Sequence, residues 1–190
     1  MTIEGEVDQN FTGKGIKKFK TGDKYVGDFV LGKRTGKGTY FYGNGDKFEG
    51  DFYNGKMNGK GVKTSKGSKG YMYSGEFLNG FFNGHGTLTF PNGNKYVGNF
   101  VNGRQTGKAI KTWTGGDRYE GEYLNDKLHG FGRYKYSNND IYEGQFAFDN
   151  RQGKGKYTWS NGDYYEGEYW GNKRRGKGYY KWASGDTYTG

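Results

Sequence analysis

The residue types that most often do chemistry are scarce in this sequence. Histidine occurs twice, at His85 and His129, and cysteine is absent. Neither histidine has a recognisable catalytic partner, and no group of His, Asp and Glu has the spacing of a metal site. The lack of cysteine excludes disulfides, thiol catalysis and Cys-bound zinc, and it suits a reducing compartment. We therefore expect a cytoplasmic protein that is not an enzyme and that has no catalytic residue, metal or cofactor.

The excess of basic residues is the second feature that could have a chemical role, namely the binding of anions. The sequence has 30 Lys and Arg against 20 Asp and Glu, a formal net charge of +10. The motif Gly36-Lys37-Gly38 superficially resembles a phosphate-binding loop, but no Walker pattern with a following helix is present. Basic side chains that recur at the inter-strand loops could bind anionic phospholipid head groups or an acidic partner, or only keep the loops soluble. The candidates are Lys33, Arg34, Lys37, Arg104, Lys108, Arg151, Lys154, Lys173, Arg174, Arg175 and Lys177.

The composition is rich in glycine and aromatic residues and poor in aliphatic ones. The 190 residues include 39 Gly, 19 Tyr, 14 Phe and 4 Trp, but few Ile, Leu or Val. This disfavours a doubly wound enzyme or a helix bundle, and by composition alone it is close to the disordered class. No apolar run is long enough to span a membrane, and the N-terminus lacks the features of a signal peptide.

A repeat of about 23 residues organises the chain. The triplet aromatic-x-Gly that begins at Tyr25 returns every 23 residues, with one interval of 25, and a Gly-x-Gly motif keeps the same phase except at Gly107-Lys108-Ala109. We count positions from the aromatic residue of each triplet, so Tyr25 is position 1. Aromatic residues alternate with other types at positions 1 and 5 and again at 16 and 18, which is typical of strands with one aromatic face.

Each unit is predicted to be a β-hairpin. The two strands of a unit are expected to flank a loop of about six residues, as at residues 31–36, on a basic edge. Successive units are expected to meet at a tighter turn that carries Asn-Gly or Gly-Asp. Asp126, Asp149 and Asn172 replace glycine at position 8, which they can do where the backbone is left-handed.

These motifs resemble the MORN repeat (membrane occupation and recognition nexus) over almost the whole chain. The resemblance implies an all-β fold, an elongated single-layer twisted antiparallel sheet of tandem hairpins curved into a trough. It divides residues 1–190 into a degenerate capping repeat at 1–24, full repeats at 25–47, 48–72, 73–95, 96–118, 119–141, 142–164 and 165–187, and the start of a further repeat at 188–190. The open sheet edge there makes self-association possible.

The resemblance also implies a non-enzymatic scaffold that binds a partner peptide or helix in an aromatic trough, in a cytoskeletal, ciliary or membrane-junction assembly. The alternatives are a tether that binds anionic membranes through the basic edge and a regulatory module of a larger enzyme. Nucleic acid is disfavoured because packing explains the aromatic residues. The predicted trough residues are Tyr25, Phe29, Tyr40, Tyr42, Phe48, Phe52, Tyr73, Phe77, Phe90, Tyr96, Phe100, Trp113, Tyr119, Tyr123, Tyr134, Tyr136, Tyr142, Phe146, Tyr157, Trp159, Tyr165, Tyr169, Tyr180 and Trp182.

Two local departures from the pattern carry their own predictions. Phe81 and Phe82 stand in a loop where other units have Lys and Arg, which predicts an exposed contact patch or a fold back onto a neighbouring repeat. Lys63 and Ser65 replace the aromatic residues at positions 16 and 18, and two residues are inserted within 66–70. We expect a change of twist or a flexible kink there that divides the trough.

Overall fold

The computed structural model describes residues 7–67 and 70–190. Within these ranges sixteen strands follow one another in sequence order as one open antiparallel sheet, which confirms the predicted all-β fold of consecutive hairpins. No helix there is long and apolar enough to cross a membrane. The strands are β1 (Gly13–Lys18), β2 (Lys24–Val30), β3 (Lys33–Phe41), β4 (Lys47–Tyr53), β5 (Lys56–Ser65), β6 (Tyr71–Leu78), β7 (Phe81–Thr89), β8 (Lys95–Val101), β9 (Arg104–Thr112), β10 (Arg118–Leu124), β11 (Lys127–Lys135), β12 (Ile141–Ala147), β13 (Asn150–Thr158), β14 (Tyr164–Trp170), β15 (Lys173–Lys181) and β16 (Thr187–Thr189).

Contacts between residues are concentrated in two compact units. The first unit is the chain up to Asn92 together with Phe100–Gly103, and it contains β1 to β7. The second unit is Gly93–Asn99 with Arg104–Gly190, and it contains β9 to β16. Strand β8 contributes residues to both units, which are described separately below.

The two strands of each repeat are joined by a two-residue turn, so the prediction of a six-residue loop is wrong. Leu31 and Gly32 join β2 to β3 with φ of 46° and 67°. Two successive positive φ angles are typical of the tight turn whose twist matches that of a hairpin. The prediction of a left-handed backbone at Asp126, Asp149 and Asn172 is confirmed, because their φ angles are 69°, 71° and 70°.

A β-bulge accounts for the wrong loop length. Strand β3 begins directly after the turn, and its register with β2 shifts after Gly27. The first glycine of Gly-x-Gly, Gly36, lies in this bulge with φ of 56°, a conformation that glycine adopts without strain. The longer link is the one between repeats. It spans residues 42–46 and is closed by a hydrogen bond from the Gly45 amide to the Tyr42 carbonyl at 2.9 Å.

A row of glycines crosses the strands and supports the core. In the first unit Gly27 pairs with Gly38, and Gly38 pairs with Gly50 on the next strand. A Cβ atom on Gly38 would meet the ring of Tyr25. The ring therefore lies directly on bare backbone, and the aromatic side chains of a single layer supply the buried volume that aliphatic residues supply in other folds.

Candidate functional site

Most of the predicted trough rings form the core instead of a contact surface. The rings at positions 1 and 5 are at most 8% exposed, and they pack edge to face, as Tyr142 and Phe146 do with centroids 5.1 Å apart. Among the predicted trough rings, those that a partner could touch are therefore the rings at positions 16 and 18. The buried rings are Tyr25, Phe29, Phe48, Phe52, Tyr73, Phe77, Tyr96, Phe100, Tyr119, Tyr123, Tyr142, Phe146, Tyr165 and Tyr169.

The second unit carries an unbroken row of rings at positions 16 and 18, which we call the aromatic ladder. Consecutive ring centroids along it are 4.5 to 5.8 Å apart. Six of the rings are half-buried, and Trp182 is 40% exposed. Each ring therefore packs on its neighbours and keeps part of its surface open to a partner. The ladder consists of Trp113, Tyr134, Tyr136, Tyr157, Trp159, Tyr180 and Trp182.

Aspartates from the preceding turn accept hydrogen bonds from the hydroxyl groups of three of the four ladder tyrosines. Tyr134 donates to Asp117 at 2.7 Å, and Tyr157 donates to Asp140 at 2.6 Å. Burial, together with the bond to Asp140, raises the pKa of Tyr157. Desolvation alone would raise the pKa of Asp140, but hydrogen bonds from Tyr157 and from the Ser160 amide outweigh it and hold that pKa below its usual value. The ladder is thus fixed in place before any partner binds.

The corresponding row in the first unit is interrupted. Tyr40 is 9% exposed and its ring is 4.6 Å from that of Tyr42. The next repeat has Lys63 and Ser65 at the same positions, and the Lys63 ammonium lies 5.5 Å from the Tyr42 ring centroid. Phe90 is half-buried one repeat later. The first unit therefore has no ladder of the length seen in the second.

The predicted kink at residues 66–70 cannot be placed on the structure as a whole. Ser68 and Lys69, at the centre of this segment, lie outside the described residues, as do residues 1–6 of the predicted capping repeat. Before the insertion, the Lys66 amide donates to Asp46 Oδ1 at 3.0 Å, which is the same contact to a preceding aspartate that other repeats make.

The basic residues do not form the single edge that we expected. Those inside Gly-x-Gly lie on strands, and their partners across the sheet include carboxylates. Lys37 forms an ion pair with Asp51 at 2.6 Å, and Lys154 is in register with Glu168. Three of the four lysines in this set thus face a carboxylate on the neighbouring strand, which makes the set less suitable for binding an anion. Its members are Lys37, Lys108, Lys154 and Lys177.

The remaining basic residues occupy two other places. Lys33, Arg104 and Lys173 are exposed at the first residue of strands that follow a two-residue turn. Arg34, Arg151 and Arg174 instead have their guanidinium groups over core and ladder rings, at 4.7 Å from Tyr40 in the first case. Arg175 lies 5.9 Å from the ring of Trp170.

Phe81 and Phe82 are not in a loop, because β7 begins at Phe81. Phe82 stacks on Tyr73 with a centroid distance of 3.8 Å and an interplanar angle of 9°. It also meets Phe77 and Phe100 edge to face. Only Phe81 is exposed, at 56%. The predicted two-residue contact patch is therefore corrected to one exposed ring and one packing ring.

The two histidines lie in unrelated settings. His85 is exposed on β7. His129 packs against Phe148, and its buried Nδ1 atom has no hydrogen-bond partner among the residues that the structure describes. Among all the residues that the structure describes, no group of three or more His, Cys, Asp or Glu side chains could hold a metal ion.

The sequence model of the MORN repeat family matches this chain seven times, at residues 25–47, 48–68, 73–95, 96–118, 119–141, 142–164 and 165–187. The chain belongs to the MORN repeat family. No curated protein shows a significant match to the sequence.

Two solved structures resemble this MORN protein at low sequence identity. The TCP domain of SAS-4 (dCPAP) from Drosophila melanogaster, in complex with a proline-rich motif of Ana2 (dSTIL), has 12% identity and a TM-score of 0.48 over 81% of this chain and 83% of that one. A catalytically inactive virginiamycin B lyase from Staphylococcus aureus with quinupristin has 10% identity and a TM-score of 0.23 over 97% of this chain and 85% of that one.

Position 10 of each MORN repeat is a part of the aromatic face that sequence reasoning missed. Four of its side chains lie against the position 1 ring of their repeat, and the residue type differs from repeat to repeat. The sequence pattern assigned these residues to a loop, because the β-bulge is not visible in the sequence and the second strand begins earlier than predicted. Their fixed spacing from position 1 is the signal in the sequence that could have identified them. The structure buries some of them deeply, because Gln105 and Leu128 are only 7% and 9% exposed. The set is Arg34, Met57, Phe82, Gln105, Leu128, Arg151 and Arg174.

Position 6 of the MORN repeats places apolar side chains at the hairpin turns. In the second unit Leu124 and Trp170 are 38% and 61% exposed, and they pair across the turn with Lys127 and Lys173. In the first unit the exposed position 6 residues are Val30, Tyr53, Leu78 and Val101. Exposed apolar and basic side chains thus lie side by side at four of these turns, whereas Leu78 pairs with Phe81.

Proposed function

We propose that this protein is a non-enzymatic interaction scaffold that binds an amphipathic peptide segment or helix of a partner protein on the aromatic ladder of the second unit. The observation that carries the proposal is the unbroken row of partly exposed rings from Trp113 to Trp182. Tyr and Trp dominate the energetics of protein interfaces because they offer a large contact area with few rotatable bonds.

The fixed position of the ladder favours this role. Tyr157 is packed between Tyr136 and Trp159 at centroid distances of 5.8 and 4.8 Å, and its hydroxyl group is bonded to Asp140. Rings that are already ordered lose little conformational entropy when a partner binds. A partner helix with an apolar face therefore meets a preorganised surface.

A peptide selection tests the proposal. A displayed library of random 16-residue peptides is panned against the full chain, and the affinity of each enriched peptide is measured by fluorescence anisotropy. Trp159→Ala should weaken binding by roughly 30-fold or more, the effect of losing about 2 kcal/mol at an interface hot spot. Trp170→Ala is the matched control, because Trp170 is 61% exposed and lies outside the ladder.

The outcomes are distinct. Enriched peptides that bind the wild type and Trp170→Ala, but not Trp159→Ala, support the ladder as the binding surface. Failure to enrich any peptide, or enriched peptides that tolerate Trp159→Ala, would overturn the proposal. Circular dichroism of both variants checks that each retains its β structure.

A second candidate function is binding to anionic membranes through the hairpin turns. The observation that favours it is the pairing of exposed apolar side chains with lysines, such as Trp170 with Lys173. Apolar insertion and lysine attraction to acidic lipids act together at a membrane surface. Binding to phosphatidylserine vesicles that falls steeply between low and physiological salt, and that is weakened by Trp170→Ala, supports this candidate. Vesicle binding that is absent at low salt refutes it.

A further inference from the structure

We propose that Arg151 and Arg174 are two carboxylate-binding seats on the aromatic face, and that they select a partner segment with two acidic side chains about 10 Å apart. This inference rests on the proposed peptide-binding function and names the chemistry of the partner. Both arginines occupy position 10, one repeat apart, beside the aromatic ladder.

The Arg151 guanidinium is held in place by its surroundings. It lies 5.6, 5.4 and 5.5 Å from the ring centroids of Tyr142, Tyr157 and Tyr169. One of its Nη2 hydrogens is donated to the carbonyl of Asn172 at 2.8 Å. A guanidinium has five N–H donors, so most of its hydrogen-bonding capacity is still available to a ligand.

The Arg174 guanidinium has the same kind of setting one repeat later. It lies 5.6 Å from the ring of Trp159, 5.4 Å from Tyr165 and 6.0 Å from Tyr180. These cation–π contacts hold the guanidinium beside the rings, and its N–H donors can make a bidentate contact with a carboxylate. Arg174 is exposed, and Arg151 is half-buried.

Neither guanidinium forms an ion pair with a carboxylate within the described chain, whose ion pairs involve other residues. The acidic groups on this face are already engaged. Asp140 accepts from Tyr157 and from the Ser160 amide, and the same arrangement recurs in the next repeat. The face therefore offers cationic groups with no acidic complement of its own, and an acidic partner supplies it.

Space is present at both seats. A cavity of about 480 Å³ is lined by Arg151, Arg174, Tyr157 and Trp159, among others. A second cavity of about 700 Å³ has Arg174, Trp159 and Trp182 among its lining residues. A short acidic side chain can reach the guanidinium groups here while its neighbours rest on the ladder.

The repeat geometry sets the spacing of the acids. Arg151 is on β13 and Arg174 is on β15, so two strand spacings of about 4.8 Å each separate the seats. An α-helix rises about 1.5 Å per residue, so side chains seven residues apart lie on one face at about 10.5 Å. Side chains four residues apart are separated by only about 6 Å. A helix that crosses the strands would thus present Asp or Glu at i and i+7, with apolar residues at i+3 and i+4 over the ladder.

The peptides enriched in the selection described above provide the test. We expect them to carry acidic pairs at a separation that corresponds to two strand spacings. Replacing either Glu of a synthetic peptide with Gln should weaken binding to the wild type by roughly 10-fold, since a charge-assisted hydrogen bond contributes on the order of 1.4 kcal/mol or more. Arg174→Gln should weaken binding of the acidic peptide by a similar factor.

A double-mutant cycle gives the sharpest readout. If Arg174 binds the carboxylate, then Arg174→Gln and the peptide Glu→Gln change remove the same contact, and their effects do not add. Arg151→Lys keeps the charge but loses the planar fork, so it should give a smaller loss than Arg151→Gln. Lys154→Gln is the matched control, because it makes the same change in charge at an exposed side chain that is in register with Glu168. It should leave the affinity unchanged.

The failures of the two proposals can be told apart. Peptides that require Trp159 but carry no acidic pair, or that tolerate Glu→Gln, overturn the carboxylate seats and leave the ladder as a binding surface. Effects of Arg174→Gln and Glu→Gln that add fully also overturn the seats. If phosphatidylserine vesicles compete with the peptides for the wild type but not for Arg151→Gln, the arginines bind lipid phosphates instead, and the inference is overturned.

Discussion

Replacing Gly155 with alanine would place a methyl group against the buried ring of Tyr142. The φ angle of Gly155 lies outside the left-handed region, so only space decides the outcome. An ideal Cβ atom would lie 2.6 Å from Tyr142 Cε2 and Cζ, well inside the 3.0 Å that real Cβ atoms respect. Tyr142 is fully buried, and its hydroxyl donates to the Gln145 carbonyl at 2.9 Å. The ring must therefore move and lose this bond.

The magnitude follows from these two effects. Forcing extra volume into a packed core costs about 1–3 kcal/mol, and the lost hydrogen bond costs about 1 kcal/mol. We therefore expect the free energy of unfolding to fall by about 2–4 kcal/mol. For a chain of this length, 1 kcal/mol shifts Tm by about 2–4 °C, so Tm should fall by about 4–16 °C.

Thermal unfolding followed by circular dichroism measures the effect, and two variants serve as controls. Gly115→Ala makes the same substitution at a glycine whose added Cβ would have no neighbour within 4 Å, so its Tm should change by less than about 2 °C. Ala109 already occupies the glycine row and is 7% exposed; Ala109→Gly should cost no more than about 1 kcal/mol. Equal Tm values for Gly155→Ala and Gly115→Ala would refute the reasoning that the ring needs bare backbone.

The remaining predictions concern the acid behaviour of the ladder and the packing of β7. Asp140→Asn should lower the free energy of unfolding by about 1–2 kcal/mol at neutral pH. Because the pKa of Asp140 is lowered in the folded state, the stabilisation from this carboxylate is present above the ordinary pKa of 3.8 and is lost as the pH falls through the folded value. Urea unfolding should therefore show a smaller difference in stability between variant and wild type at pH 3 than at pH 7. An equal difference at the two pH values would contradict this. Phe82→Ala should cost about 2–3 kcal/mol because its ring stacks on Tyr73, whereas Phe81→Ala should stay within about 0.5 kcal/mol; similar losses for the two would contradict the stacking.

The fold could be predicted because two landmarks kept one phase along the whole sequence. Tyr-x-Gly and Gly-x-Gly are each required by the same contact, in which the position 1 ring lies on paired glycines such as Gly144 and Gly155. A requirement that recurs in six of the seven full repeats, with Ala109 as the exception, is visible in one sequence. The left-handed turn at Asp149 followed from the same spacing, because its place is glycine in other repeats.

The site could be predicted only in part. The alternation of aromatic residues identified the aromatic face, but alternation cannot tell a buried ring such as Tyr119 from a half-exposed one such as Tyr136. That difference depends on tertiary packing, because position 1 rings lie over the glycine row and position 5 rings pack edge to face against them. Arg34, Arg151 and Arg174 were candidates for anion binding, but their place on the aromatic face could not be predicted. A bulge changes the side chain direction by one residue, and a single glycine with positive φ gives little warning of it.

The hydrogen bonds that join neighbouring repeats affect how the length of such a protein can change in evolution. The Asp149 amide bonds to the carbonyl of Leu128, and the Asn172 amide bonds to that of Arg151. At the other end of the strands, Asp140 accepts from the amide of Ser160. Most junctions use the same backbone atoms at the same offset, so a whole 23-residue module can be duplicated or lost in evolution and the new neighbours still fit. A loss that removes these groups would leave unsatisfied partners at both ends of the strands, whereas the two residues inserted within 66–70 leave the bond from the Gly80 amide to the Met57 carbonyl in place.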